Sequence, residues 1–298
     1  SLTESQRNQL SSIHQRLMDI RIQRIKPLTD DKQLLAWNAL MNKALSHAYL
    51  HTGNGAFLDL AEKNMNYLLN HFRSNEHLYF HTSRNAVLKH AAYADDLAYL
   101  ADALIELAKI ASDTMYLDKA REIVDYMNEY FSESGQALYL FTNRTFQQVE
   151  VNKREMYDGA LPSSNAVMCR VLNYLHLVNW QEDFKKRADD MLLMMRQSIF
   201  KYPLSFAVWC AELQFQLHSS IEVCIAGKDA KNIFRQLYTK QYQPNVTYIT
   251  THKENTIVSL KGKYQDGETL IYICSNFSCQ EPLRDINHAF TEISKFML

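Results

Sequence analysis

TDDKQLLAWNAL, Thr29 to Leu40, sets two carboxylates and a lysine directly before an apolar run. Thr29 or Asp30 can cap a helix whose apolar face begins at Leu34, and Asp31 in the first turn suits the positive end of the helix dipole. From there Leu34, Leu35, Trp37, Leu40, Met41, Ala44, Leu45 and Ala48 recur at helical spacing. Two further stretches have the same character: HAAYADDLAYL, His90 to Leu100, and MYDGALPSSN, Met156 to Asn165. Asp31, Asp96 and Asp158 lie 65 and 62 residues apart, so the start signal itself repeats.

Reading outward from these stretches predicts helical hairpins. Seven glycines and five prolines leave long uninterrupted segments. Residues 4–22 have helical composition, and HTGNGAF ends the helix that begins at Leu34 and opens the next, Phe57 to Phe72. The pairs Asp95 to Ile110 with Met115 to Phe131, and Ser163 to Trp180 with Asp183 to Phe200, follow; Leu204 to Leu217 closes the series. EHLYFHTS and GQALYLFTNRTFQQVEVN alternate apolar and polar residues as small β-hairpins do. Helix pairs repeating every 60 or so residues predict a toroid or solenoid whose unit-starting helices run parallel, with their N-termini on one rim.

After residue 219 the pattern changes. IEVCIAG, NVTYITT and TLIYICS read as strands, KDAKNIFRQLY and Leu283 to Phe296 as helices. The predicted organisation is an α/α-toroid-like helical domain over 1–219 and a small α/β region over 220–298. CIAGKDA lacks the repeated glycines of a dinucleotide or phosphate loop.

With 298 residues, 47% of them hydrophobic, the chain can bury a large core. Lysine plus arginine (32) balances aspartate plus glutamate (33), which argues against nucleic acid or a membrane surface as partner. No run approaches the roughly 20 apolar residues of a membrane span. The expected location is cytoplasmic, and a first residue that is serine points to segments upstream. Five cysteines do not read as a disulfide framework and suit a reducing compartment. Cys274 and Cys279 are too far apart for a CxxC motif, and Cys169, Cys210 and Cys224 sit in apolar segments. No cofactor or metal is expected.

The converging rim would gather helix N–H groups, the carboxylates Asp31, Asp96 and Asp158, the aromatic residues Trp37, Tyr93 and Tyr157, and the polar Lys32, Asn38, Ser163 and Asn165. Aromatic faces beside hydroxyl-binding groups are what a sugar-like ligand requires. Asp96, Asp158 and His90 are the acid and base candidates. Helix capping explains each Asp, Ser and Asn equally well, Trp37 lies on an apolar helical face, and His77 and His81 read as an exposed pair on a strand.

DDKQLLAWNALM, ADDLAYLADALIEL, YDGALPSSNAV and YICSNFSCQEP together resemble the C-terminal portion of the YyaL family, thioredoxin-domain proteins that include the spermatogenesis-associated thioredoxin-like proteins. The resemblance runs from about Arg21 to Cys279 and omits the family's N-terminal thioredoxin-like domain. It implies a mainly α fold, a partial ring of antiparallel hairpins similar to the six-hairpin glycosidases and the N-acylglucosamine 2-epimerases. Asp31, Lys32, Trp37, Asn38, Asp96, Asp158, Pro162, Ser163 and Asn165 match the family pattern; Leu97, Ala39 and Ser164 depart from it. The expected function is carbohydrate-related, an epimerase or a glycoside hydrolase if catalytic. The alternative is a ligand- or partner-binding scaffold. A closed ring needs about twelve helices, so an open arc with apolar inner faces is expected to pair with a second copy or an upstream thioredoxin-containing segment.

Overall fold

The computed structural model describes residues 2–74, 78–145, 152–218, 221–241, 243–275 and 278–296. Ser1–Lys32 and Gln33–Leu298 are separate compact units. The first holds α1 (Glu4–Ile22), started by a capping box in which Thr3 and Gln6 exchange hydrogen bonds. None of its residues is buried.

In the second unit the apolar periods become hairpins. They are α2 (Leu35–Thr52) with α3 (Gly55–His71), α4 (Ala94–Ala111) with α5 (Met115–Tyr130), and α6 (Ser164–Asn179) with α7 (Glu182–Lys201), followed by α8 (Ala207–Leu217). Helix α4 packs against α2 and α6, and α6 against α8, while α3, α5 and α7 each lie behind the inner helix they follow. This is an arc of an (α/α)6-type toroid, with α2, α4, α6 and α8 as its inner layer. Helix α4 is buried along almost its whole length, and Ala94, Ala98, Ala101, Ala103 and Ala108 keep its surface small enough for neighbours on several sides. Gly53 ends α2 at a φ of 70°, a left-handed value that glycine adopts without penalty.

Charge crosses the inner layer where the open-arc reading expects an apolar face. Lys43 on α2 pairs with Asp102 on α4 at 2.6 Å. Arg170 on α6 reaches Asp102 at 3.6 Å and Glu212 on α8 at 2.8 Å. Exposed apolar side chains include Trp37 and Met41, one turn apart on α2, and Leu193, Phe200 and Leu217 on α7 and α8.

Of the two expected β-hairpins, the first forms. β2 (Phe80–Arg84) and β3 (Val87–Ala91) pair antiparallel, and β1 (Gln33–Leu34) joins β2. The second does not: residues 135–145 and 152–158 contain no strand, and 146–151 lie outside the described residues, as does His77. Side-chain amides replace the ladder there. Asn152 bonds both the N–H and the C=O of Thr142, and Asn165 does the same for Tyr139.

The C-terminal part is β4 (Ile221–Ala226), α9 (Ala230–Lys240), β5 (Val246–Thr251), β6 (Leu270–Ser275), β7 (Ser278–Cys279) and α10 (Ile286–Ser294). Its sheet order is β5-β4-β6-β7, with β5 parallel to β4 and the other pairs antiparallel. Every residue of β4 is buried, which explains why it is apolar on both faces apart from Glu222. Gly227 after it has structural work: a Cβ there would stand 2.3 Å from the Glu268 carbonyl oxygen. Cys169 and Cys224 are buried thiols as expected, but Cys274 and Cys279 form a disulfide. The antiparallel pairing of β6 with β7 sets these two residues directly opposite one another, a proximity that their spacing in the chain does not reveal.

This layer covers the C-terminal ends of the inner helices. The Thr250 hydroxyl donates to the Lys109 carbonyl at 2.8 Å, and His252 N–H to Ser112 at 3.1 Å. Tyr174 near the end of α6 donates its hydroxyl to the Tyr248 carbonyl, and Ser259 N–H reaches Val178. The N-terminal ends remain as the opposite rim.

Candidate functional site at the N-terminal rim

The rim is built by carboxylates that satisfy backbone N–H groups. Asp96, in the first turn of α4 and fully buried, accepts from Ala36 N–H of α2 at 2.9 Å through one oxygen. Its other oxygen accepts from Tyr93 N–H at 2.9 Å and faces His81 Nδ1 at 2.8 Å. A carboxylate only accepts, so this contact puts the ring proton on Nδ1. Asp158 repeats the device one hairpin on, accepting from Ser163 N–H at the start of α6 and Val208 N–H at the start of α8, each at 2.8 Å. Each carboxylate therefore ties together the first turns of two neighbouring inner helices.

The amide and hydroxyl groups expected at the rim are similarly engaged. Ser163 caps α6 by accepting from Ala166 N–H, and its hydroxyl donates to the Glu155 carbonyl at 3.0 Å. Asn165 holds Tyr139 and the Glu155 carbonyl, and Asn38 donates to the Leu34 carbonyl at 2.8 Å. Trp37 and Tyr157 are 61% and 63% exposed, with the Tyr157 ring 5.0 Å from Phe206. The Tyr93 ring lies 4.8 Å from His81 and stacks on Phe141 at 5.2 Å. Lys153 Nζ stands 4.5 Å from the centre of the Phe141 ring. His90 is exposed on β3 with a φ of 57°. Asp31 and Lys32 belong to the first unit, where exposed Lys32 pairs with Asp30 at 3.2 Å.

One rim carboxyl with altered ionisation is not among the residues that spacing and motif single out. Asp95 is half-buried, and burial, the neighbouring Asp96 and the more distant Glu155 push its carboxyl up to about 6. One of its oxygens accepts from Asp96 N–H at 3.0 Å. Glu155, also half-buried, reaches Ser164 N–H at 3.4 Å. Tyr99 links the two helix starts, its hydroxyl donating to the Pro162 carbonyl at 2.5 Å. Burial raises this phenol, and Asp95, Glu155, Asp158 and Asp96 raise it further, so it stays protonated among the carboxyls. A carboxyl raised to about 6 is protonated in part of the molecules in mildly acidic solution, and in that form it can donate its proton to a leaving or hydroxyl oxygen.

Adjacent Asp95 and Asp96 carry a usable signal, because one carboxylate capping a helix leaves its like-charged neighbour hard to ionise. Nothing in the spacing announces His81, which meets Asp96 only because β2 folds back over α4. Among the described residues no three His, Cys, Asp or Glu gather as a metal site. Cavities of about 490 and 500 Å³ lie between α5, α7 and the chain after α5, both lined by Arg187. That guanidinium already bonds Ala137, Asn128 and Ser132 and lies over the Tyr139 ring, and Asp95, Asp96, Glu155 and Asp158 do not line either cavity.

No family model matches the chain. Its sequence is 22% identical over 295 residues to an uncharacterized protein of Caenorhabditis elegans, covering 94% of this chain and 40% of that protein. It is also 22% identical over 306 residues to human spermatogenesis-associated protein 20, covering 95% of this chain and 38% of the relative. The chain thus spans about two fifths of the length of these curated relatives. Among solved structures, a GH76 alpha-mannanase of Bacteroides thetaiotaomicron superposes with a TM-score of 0.50 at 15% identity, over 90% of this chain and 71% of that one. No helix among the described residues is long and apolar enough to cross a membrane. The resemblance read from the four motifs is borne out: over nearly its whole length the chain is similar to part of spermatogenesis-associated protein 20, on a helical-toroid fold.

Proposed function

We propose that the N-terminal rim of the inner helices binds a sugar-like ligand, with Asp95 as the proton donor and Glu155 as the second carboxyl. The observation that carries this reading is the Asp95 carboxyl, pushed up to about 6 between Asp96 and Glu155. Exposed Trp37 and Tyr157 add the flat apolar surfaces on which sugar rings stack. Asp96 and Asp158 act here as positioning residues, since their oxygens already accept from backbone N–H groups. An epimerase would use the pair to move a proton at a carbon next to a carbonyl. A hydrolase would need the two carboxyls roughly 5 to 9.5 Å apart. The alternative, a binding scaffold without chemistry, is favoured by how fully the other rim polar groups are spent on helix ends.

The test is thermal melting of the chain with N-acetylhexosamines, mannose, glucose and short oligosaccharides, followed by product analysis for any that bind. A ligand at about 100 times its dissociation constant adds roughly 2.7 kcal/mol, a readable shift. The expected result is a shift with at least one sugar that weakens in Trp37→Ala, and turnover that is lost in Asp95→Asn. Binding without any product would leave the scaffold reading; no shift across the panel would remove the sugar site altogether.

A further inference from the structure

A second chemical centre lies in the C-terminal layer, away from the carboxyls. Cys279 is on β7, at the edge of the sheet, and is exposed; its disulfide partner Cys274 is on β6 and almost fully buried. Lys263 points its ammonium at the buried sulfur, Nζ lying 3.4 Å from Cys274 Sγ. The same ammonium is 3.5 Å from Cys224 Sγ and 2.6 Å from the Ser259 carbonyl, and it lies 5.5 Å from the Tyr272 ring centre. Burial pushes the Cys224 thiol up to about 11, with Lys263 opposing, so Cys224 stays a neutral thiol and leaves the lysine charge in place. Glu222, opposite Cys274 in the sheet, is also raised by burial and also feels Lys263.

We infer that the Cys274–Cys279 pair is a thiol–disulfide exchange site for small thiols, in which Cys279 is attacked and Lys263 stabilises Cys274 as the departing thiolate. The polarity follows from access, since an incoming thiol meets the exposed sulfur first. Exchange is faster when the leaving sulfur is the better thiolate, and an ammonium in contact makes it so. With a dithiol donor the steps balance. A donor thiolate attacks Cys279 Sγ, the protein S–S bond breaks, and its electron pair passes to Cys274 Sγ, which takes up the proton the donor thiol lost. The donor's second thiolate then attacks its own sulfur in the mixed disulfide and expels Cys279, which takes up the second proton. The donor leaves as a disulfide, oxidised by two electrons, and the protein carries two thiols.

The experiment uses the whole chain after aerobic purification, treated under native conditions with dithiothreitol or glutathione, quenched by alkylation and mapped by mass spectrometry. With dithiothreitol, Cys274 and Cys279 should become labelled together at a rate proportional to thiol, while circular dichroism stays native. Lys263→Met should slow this about tenfold, and Lys263→Arg, which keeps the charge, should stay within about threefold of the parent. With glutathione, the trapped adduct should sit on Cys279, a readout that needs no variant. Five free thiols in the aerobic protein, reduction only on unfolding, an adduct on Cys274, or equal rates for a folded Lys263→Met and the parent would each overturn the inference.

Discussion

The two ends of the inner helices solve the same problem with opposite chemistry. At the N-terminal rim, orphan N–H groups of α2, α4, α6 and α8 are met by the carboxylates Asp96 and Asp158. At the far end, orphan carbonyls are met by neutral donors: Thr250 and the His252 N–H for α4, and the Ser259 N–H for α6. Neutral donors add no charge of their own, the Lys109–Glu106 pair nearby being self-balanced, and that end is covered by a buried sheet. Carboxylates concentrate negative charge, and a further acid placed beside them, Asp95, ionises less readily than it would in water. The carboxylate that caps α2 and α4 therefore also adds to the burial that raises Asp95.

The comparison breaks most visibly at Asp96. Asp96→Asn keeps the shape but offers one acceptor oxygen to Ala36, Tyr93 and His81, and turns an NH2 group toward donors. Leaving a buried N–H unsatisfied costs about 1–3 kcal/mol, so a loss of about 2–4 kcal/mol is expected in urea unfolding at neutral pH. A change below about 0.5 kcal/mol would mean that the carboxylate does not hold the rim together.

A smaller effect of opposite sign is expected at Asp95. Because its carboxyl is raised from 3.8 to about 6 in the fold, the folded chain binds this proton more tightly than the unfolded one, and ionising it costs stability as pH rises from about 4 to 6. Asp95→Asn retains the acceptor for Asp96 N–H and removes that cost. Melts at several pH values should find the variant about 1–2 kcal/mol more stable above pH 6, after allowing for partial exposure, and equal to the parent near pH 4. A pH-independent difference would assign the effect to something other than ionisation.

The least effect is expected at the covered end. Tyr174→Phe deletes the hydroxyl that bonds the Tyr248 carbonyl at 2.9 Å, worth about 1 kcal/mol at any pH between 5 and 8. A strong pH dependence there would contradict the reading that neutral donors cap that end.

The hairpins were legible because burial of one helix face writes a period into the sequence, and Leu34 to Ala48 carries it without interruption. The strands β4, β5 and β6 were legible for a different reason: they are short, mostly apolar and β-branched segments buried on both faces. The stretch Gly135 to Asn152 has the alternation of a hairpin, but the amides of Asn152 and Asn165 take the backbone groups a ladder would use, a competition that alternation cannot register. At the rim, spacing found Asp96 and Asp158 and the starts of α4 and α6. The expected cap of α2 by Thr29 or Asp30, with Asp31 in its first turn, does not form: α2 begins at Leu35 without a side-chain cap, and Asp96 meets its Ala36 N–H. Spacing did not separate Asp96, spent on N–H groups, from Asp95 beside it, because that division depends on which carboxyl faces α2. His81 and the Cys274–Cys279 pair were beyond spacing altogether, since each owes its partner to a turn that reverses the chain.

The chain of pairs Lys43, Asp102, Arg170 and Glu212 alternates in sign, with one residue on each inner helix in turn. Hairpins with similar apolar faces are prone to dock in the wrong order as a chain collapses. Here a skipped neighbour would set Lys43 beside Arg170, or Asp102 beside Glu212, with like charges half removed from water. Repulsion of that kind penalises wrong partners more than it strengthens right ones. The alternation thus tells against docking that skips one helix of the arc.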